Sequence, residues 1–201
     1  MKLHVFPPSP NARRCVVTAD LAGVEIEQVM VDLMAGEQKK PEFLALNPNG
    51  KMPVLEFADG STLWESNAIV NRLADLGDSD LFPKSDARFQ IVQWQFWDKA
   101  HWSPAVTAFI AEKFFDRKID RDAATEELHK VAKVLDGQLS DRPWLLGGEM
   151  TVADISVAAN LCYRDVCSIP LDGFNNIENW MRRLEDIPAW QRANPALESI
   201  G

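Results

Sequence analysis

The sequence is short of the residues on which several kinds of chemistry depend. It has three cysteines, Cys15, Cys162 and Cys167, an odd number without framework spacing. This argues against a disulfide scaffold and fits a reducing, cytoplasmic setting. The three histidines, His4, His101 and His129, are scattered, and neither they nor the cysteines show metal-ligand spacing. No metal site is expected. There is no basic run or basic face: net charge is −9, with the acidity spread along the chain. Nucleic acid and anionic membrane surfaces are therefore poor partners. No apolar stretch reaches the length that spans a bilayer. The opening MKLHVFPPSP lacks the apolar centre of a secretory signal. Repeats and low-complexity tracts are also missing.

What remains is ordinary globular material. The chain has 201 residues, 46% hydrophobic and 25% charged. That is enough for a substantial core in one large or two small domains. Leu3–Phe6 predicts a first strand, stopped by Pro7-Pro8-Ser9-Pro10. A helix follows from about Asn11 to Ala22, with Cys15, Val16 and Ala19 inward and Gly23 as its cap. Glu25–Val31 alternates as a second strand, so the first pair is parallel, joined by a right-handed crossover. Pro41–Leu46 is a short helix ended by Asn47-Pro48.

The stretch from Asn47 to Asp75 then packs several signals together. Val54, Leu55 and Phe57 form a strand, Ala58–Ser61 a tight turn, and Thr62–Trp64 the return strand. Glu65-Ser66-Asn67 opens a helix carrying Ile69, Val70 and Leu73 inward. Pro53 stands at the head of a buried strand, where proline is costly. It fits either a backbone shaped for binding or an edge proline that blocks sheet extension. The first 76 residues thus read as a small mixed sheet in the order βαβαββα. Residues 77–85 are a linker. Residues 86–201 carry helical periodicity only: about Asp86–Asp116 bent near Pro104, Asp120–Ser140, an apolar Thr151–Val166, Asn176–Glu185 and Pro188–Ala193.

This organisation resembles the soluble glutathione transferase family. The run Gly36–Leu55, GEQKKPEFLALNPNGKMPVL, is similar to the corresponding stretch of phi, theta and related bacterial classes. Trp64-Glu65-Ser66-Asn67-Ala68-Ile69 resembles the family's glutamate–serine helix start. Thr151-Val152-Ala153-Asp154 resembles its buried capping box, and Ser9-Pro10-Asn11 stands where serine-type members keep the catalytic hydroxyl. The resemblance covers essentially the whole chain. It implies a thioredoxin-like α/β domain with a four-stranded mixed sheet, an all-α C-terminal domain, a cleft at their junction, and a cytoplasmic homodimer.

The resemblance also assigns roles. Met52-Pro53 would be cis, freeing the backbone groups before the proline to pair with the cysteinyl backbone of glutathione, as in strand addition. Ser66, at a helix N-terminus, suits the γ-glutamyl carboxylate, and Glu65 suits its α-ammonium. Ser66 alone also fits an ordinary cap. Gln38, Lys39 and Lys51 are candidates for the glycyl carboxylate, although lysines are by default solvated surface charges. Ser9 would stabilise the thiolate of glutathione, with Asn11 donating a second bond or orienting Ser9. Either residue also fits a helix cap. Cys15 lies too late in the sequence to serve as a redox cysteine and reads as core. Trp94, Trp97, His101 and Phe109 are candidates for a hydrophobic substrate wall, or equally for core or dimer contact. The implied reaction conjugates glutathione to a small hydrophobic electrophile, with glutathione as co-substrate. The rivals are a glutathione-dependent peroxidase, isomerase or reductive cleavage enzyme, and a non-catalytic binding or regulatory module on the same fold.

Overall fold

A computed structural model of the chain describes residues 1–77 and 79–193. Asp78 in the predicted linker and the predicted helical domain beyond Ala193 lie outside the described residues. The chain divides into two compact units, Met1–Phe82 joined by Ala193, and Pro83–Arg192.

The first unit runs β1 (Lys2–Val5), α1 (Pro10–Leu21), β2 (Glu27–Met30), a 3-10 turn (Glu37–Lys39), α2 (Pro41–Leu46), β3 (Val54–Glu56), β4 (Thr62–Trp64) and α3 (Ser66–Leu76). The strands form one mixed sheet in the order β2-β1-β3-β4. β1 and β2 are parallel, while β1/β3 and β3/β4 are antiparallel. This is the thioredoxin-like α/β architecture that the resemblance implies. The central strands are buried on both faces: β1 buries Leu3, His4 and Val5, and β3 buries Val54 and Leu55. On one face Val54 joins Val31 and Phe43 of α2 in a small cluster, with Leu46 and Met52 packed against it. Leu3 and Leu55, paired across β1 and β3, point to the other face and are fully buried.

Several predicted boundaries move. β2 is shorter than Glu25–Val31 and sits at the sheet edge, where most of its side chains are exposed. Phe57 lies outside β3; its N–H donates to Ser61 O across the turn. α1 begins at Pro10, whose missing N–H costs nothing in the first turn. It buries Val17, while Val16 is half-buried. It also buries Arg13 and Arg14, which hydropathy would have sent to solvent.

The second unit contains α4 (Ala87–Trp97), a π-helical turn (Asp98–Trp102), α5 (Ser103–Phe115), α6 (Arg121–Gln138), α7 (Val152–Ala158) continued by a 3-10 segment (Ala159–Tyr163), α8 (Asn175–Glu185) and α9 (Pro188–Arg192). The predicted bend near Pro104 is this π turn. Proline lacks the N–H for an interior helical bond and crowds the carbonyl four residues back, so the helix widens there. Fully buried Asp98 accepts from Ser103 Oγ at 2.7 Å, and Asn160 Nδ2 donates to that same oxygen at 2.7 Å. The predicted helix 151–166 is α-helical only to Ala158. All seven α7 residues are buried, so this helix is the centre of the unit.

The Thr151/Asp154 capping box is formed. Asp154 also accepts from Leu145 N, at 2.9 Å, and Trp180 Nε1, at 3.0 Å. Burial pushes its carboxyl above the usual carboxylate range, and these hydrogen bonds oppose the shift.

Candidate functional site

The Met52–Pro53 peptide bond is cis. Pro53 is buried and Met52 half-buried. Among the described residues, neither the N–H nor the C=O of Met52 has a hydrogen-bond partner. The loop before it is held from below by Asn47. The Asn47 side chain donates to Lys51 O at 2.5 Å and accepts from Asn49 N at 3.0 Å, and Asn47 O accepts from Gly50 N at 2.9 Å. Gly50 has φ 60°, and a Cβ there would stand 3.1 Å from Gln38 O. Glycine is needed both for the dihedral and for the close approach of the 3-10 turn.

That contact brings Gln38 beside the Lys51–Met52 loop. The Gln38 Oε1 atom is buried without a partner in the structure. A buried acceptor left unpaired costs free energy, and such atoms invite a ligand. Lys39 and Lys51 are exposed, and neither has an ion-pair partner among the described residues. Lys40, by contrast, pairs with Glu37 at 2.9 Å.

Glu65 precedes α3 with φ 69° and ψ 112°. A non-glycine residue held there stores about 1–3 kcal/mol of strain, and such strain concentrates at functional sites. The turn leaves Glu65 exposed and sets Ser66 as the first helical residue, 5% exposed. The backbone N–H of Ser66 has no partner among the described residues, as expected for a first-turn donor. Its hydroxyl donates to Asn11 Oδ1 at 3.2 Å.

The N-termini of α1 and α3 are therefore joined directly. Two more α1 side chains reach the same turn. Arg14 Nη1 donates to Asn67 Oδ1 at 2.8 Å, and Cys15 Sγ lies 3.6 Å from Ser66 O and 3.4 Å from Asn11 O. Ser9 is the N-cap residue of α1, yet its side chain does not cap the helix. Its N–H donates to Phe6 O at 2.8 Å, and its half-buried hydroxyl has no partner among the described residues.

In the helical unit the rings of Trp94 and Trp97 meet edge-on at 5.0 Å, and Trp97 stacks on fully buried Trp102 at 5.9 Å. Both Trp94 and Trp97 are half-buried, and His101 is exposed. Phe109 is different. It is 0% exposed and lies beneath the Arg121 guanidinium, 5.4 Å from the ring centre. It is core packing and lines no open wall. The single face expected for 94, 97, 101 and 109 assumed about 100° per residue. The π turn breaks that register, so Trp102, and not His101, continues the tryptophan cluster.

Family models named "Glutathione S-transferase, N-terminal domain" and "Glutathione S-transferase, C-terminal domain" match residues 1–75 and 96–188. This chain belongs to the glutathione S-transferase family. It is 30% identical over 213 residues to glutathione S-transferase F10 of Arabidopsis thaliana, across 96% of this chain and 97% of the relative. It is 27% identical to glutathione S-transferase D7 of Drosophila melanogaster, across 98% of this chain and 90% of the relative. A solved glutathione S-transferase structure from Pseudomonas fluorescens superposes with TM-score 0.85 at 32% identity, across 94% and 96% of the two chains.

Three residues of this family member shape the site's geometry in ways that the sequence did not indicate. Asn47 was read as a helix terminator, and it also organises the loop before Pro53. Arg14 was given no role, and it anchors the first turn of α3. Cys15 was read as core packing, which it is, and it also touches both helix starts. An Asn-Pro-Asn-Gly turn carries a signal for the first. Nothing local announces the other two, because their partners are over fifty residues away.

Proposed function

We propose that the protein is a glutathione transferase that joins the glutathione thiolate to a hydrophobic electrophile. The observation that carries this reading is the Met52 backbone beside buried Pro53, whose N–H and C=O have no partner among the described residues and stand open for a peptide laid alongside. Ser66, with its open N–H at the start of α3, suits the γ-glutamyl carboxylate, and exposed Glu65 suits the ammonium group. Lys39 and Lys51 suit the glycyl carboxylate, with their two unpaired ammonium groups in support, and Gln38 beside them offers its unpaired Oε1 to a donor such as the N–H of the glycyl peptide bond.

A free thiol with a pKa of about 8.5 is mostly protonated at neutral pH. Once the thiol proton has passed to solvent, the Ser9 hydroxyl, uncommitted to capping, donates to the sulfur. The N-terminus of α1 adds a favourable field. The thiolate then attacks carbon: an S–C bond forms while the leaving group departs with its electron pair, or the pair moves onto the acceptor and is protonated by solvent. Trp94 and Trp97 supply a half-buried aromatic surface for the electrophile. Cytoplasmic location and homodimer formation belong to the same proposal.

Retention on immobilised glutathione, followed by thioether formation across halogenated aromatics, epoxides and activated alkenes, tests the function. Retention with conjugation is the expected result. Intact, folded protein that ignores glutathione would end this reading. Binding combined with turnover of peroxides alone would replace conjugation with reduction.

A further inference from the structure

The junction between α1 and α3 has more built into it than glutathione recognition by α3 requires. Asn11, Arg14 and Cys15 occupy positions i, i+3 and i+4 of α1, which place them on one helix face. All three contact the first turn of α3: Asn11 the Ser66 hydroxyl, Arg14 the Asn67 side chain, and Cys15 the Ser66 carbonyl. Ser66 is 5% exposed, so its hydroxyl has few alternative orientations.

The hydrogen-bond inventory of this junction is restrictive. A serine hydroxyl has one proton, and here that proton is directed at Asn11 Oδ1. To bind a carboxylate through the hydroxyl, Ser66 must direct the same proton at the ligand. The oxygen then loses its bond to Asn11 unless the Asn11 amide presents Nδ2 in place of Oδ1. A primary amide carries both a donor and an acceptor, so it holds the Ser66 oxygen in either state. A carboxylate or a hydrocarbon at position 11 cannot make this exchange.

We propose that Asn11 is a positioning residue for glutathione recognition. Its amide holds the Ser66 hydroxyl for the γ-glutamyl carboxylate, and it acts through Ser66 and not on the sulfur. The proposal rests on the glutathione reading above. It separates two jobs that adjoin at the start of α1. Ser9 governs thiol ionisation, and Asn11, two residues on, governs affinity.

The test is a double-mutant cycle on the full chain, using Asn11→Ala, Ser66→Ala and the double variant. Asn11→Ser serves as a second variant: it keeps a short polar residue in the first helical turn and is too short to reach Ser66. Melting temperatures identify any variant that fails to fold. Glutathione affinity is measured by titration calorimetry, and ionisation of the bound thiol by ultraviolet difference titration. Asn11→Ala and Asn11→Ser should each weaken binding by about tenfold, the scale of one hydrogen bond to a charged system. In the Ser66→Ala background the same changes should add less than about twofold. The bound thiol should titrate as in the unmodified protein, and the loss should appear in KM and not in kcat. Independent, additive losses would overturn the proposal. So would a raised thiol pKa in Asn11→Ala, which would make Asn11 a sulfur donor. If the unmodified protein takes up no glutathione, the functional reading falls and this proposal falls with it. If it binds and the cycle is additive, only the coupling falls.

Discussion

At the scale of single residues, the site is built from groups whose ordinary structural duty is missing. Ser9 occupies an N-cap position and does not cap, Gln38 buries an acceptor without a partner, and Glu65 sits at positive φ without being glycine. Each is a local cost that folding alone does not explain. Ser9→Ala should therefore leave stability nearly unchanged, because no protein hydrogen bond is lost. It should remove one charge-assisted bond to sulfur, about 1.5–3 kcal/mol. Turnover near neutral pH should fall about 10–100-fold, and the bound thiol pKa should rise by about one to two units. Ultraviolet titration of bound glutathione reads this directly, and an unmoved titration would transfer the role to another donor. Pro53, Glu65 and Ser66 were legible because their spacing is local and their resemblance specific. Arg14 was not, since a buried arginine is recognisable only once its distant partner is known.

At the scale of elements, period and punctuation located every strand and α-helix of the first unit but not the 3-10 turn at Glu37–Lys39, which was read as loop, and errors gathered where tertiary contacts choose between neighbours. Val16 and Val17 are adjacent, and only packing decides which one faces inward. The π turn arises from Pro104 together with the buried Asp98–Ser103–Asn160 chain, which no hydropathy pattern encodes. The ends of α1 and α3 supply a sharper case. A Cβ on Gly77 would fall 2.1 Å from Ala22 O, although its φ of −83° suits any residue. Gly77→Ala is thus a problem of overpacking alone, and should cost about 1–3 kcal/mol. A shift in denaturant midpoint at constant slope would measure it. No shift would mean that the two helix ends separate easily.

The sheet carries a second element-scale prediction. Glu56 on β3 accepts from His4 Nε2 on β1 at 2.8 Å, and that hydrogen bond holds its carboxyl below the usual value of 4.5. A depressed carboxyl stabilises the fold above its unfolded pKa and loses that contribution as pH falls through the folded value. Glu56→Gln should therefore flatten the acid limb of the melting-temperature profile below about pH 4.5, while the profile above it keeps its shape. An unchanged acid limb would assign acid sensitivity to other carboxylates, such as Glu37 or Asp59, whose values are also lowered.

At the scale of the whole molecule, the change from alternating strands and helices to helices alone was plain in the periodicity, and the cut after Phe82 follows it. The identity of the second substrate was not plain, because an aromatic stripe serves core, cleft and subunit contact alike. Burial now sorts some of that stripe: Phe109 is core, whereas Phe89 and Phe96 on α4 are 76% and 72% exposed. These two are seven residues apart and so lie on one face of the helix. Covering an exposed phenylalanine contributes about 1.5–3 kcal/mol, so the proposed homodimer would gain by burying this face. Each chain carries −9, so association brings like charges together. Salt screens that repulsion and leaves apolar burial intact. Light scattering should accordingly give twice the 22.6 kDa chain mass, with dissociation weakening as salt rises. Phe89→Glu/Phe96→Glu should run at the single-chain mass with an unchanged melting transition in dilute solution. A monomeric mass for the unmodified protein at all concentrations would refute the dimer, and a dimer that survives the double substitution would move the interface to another face.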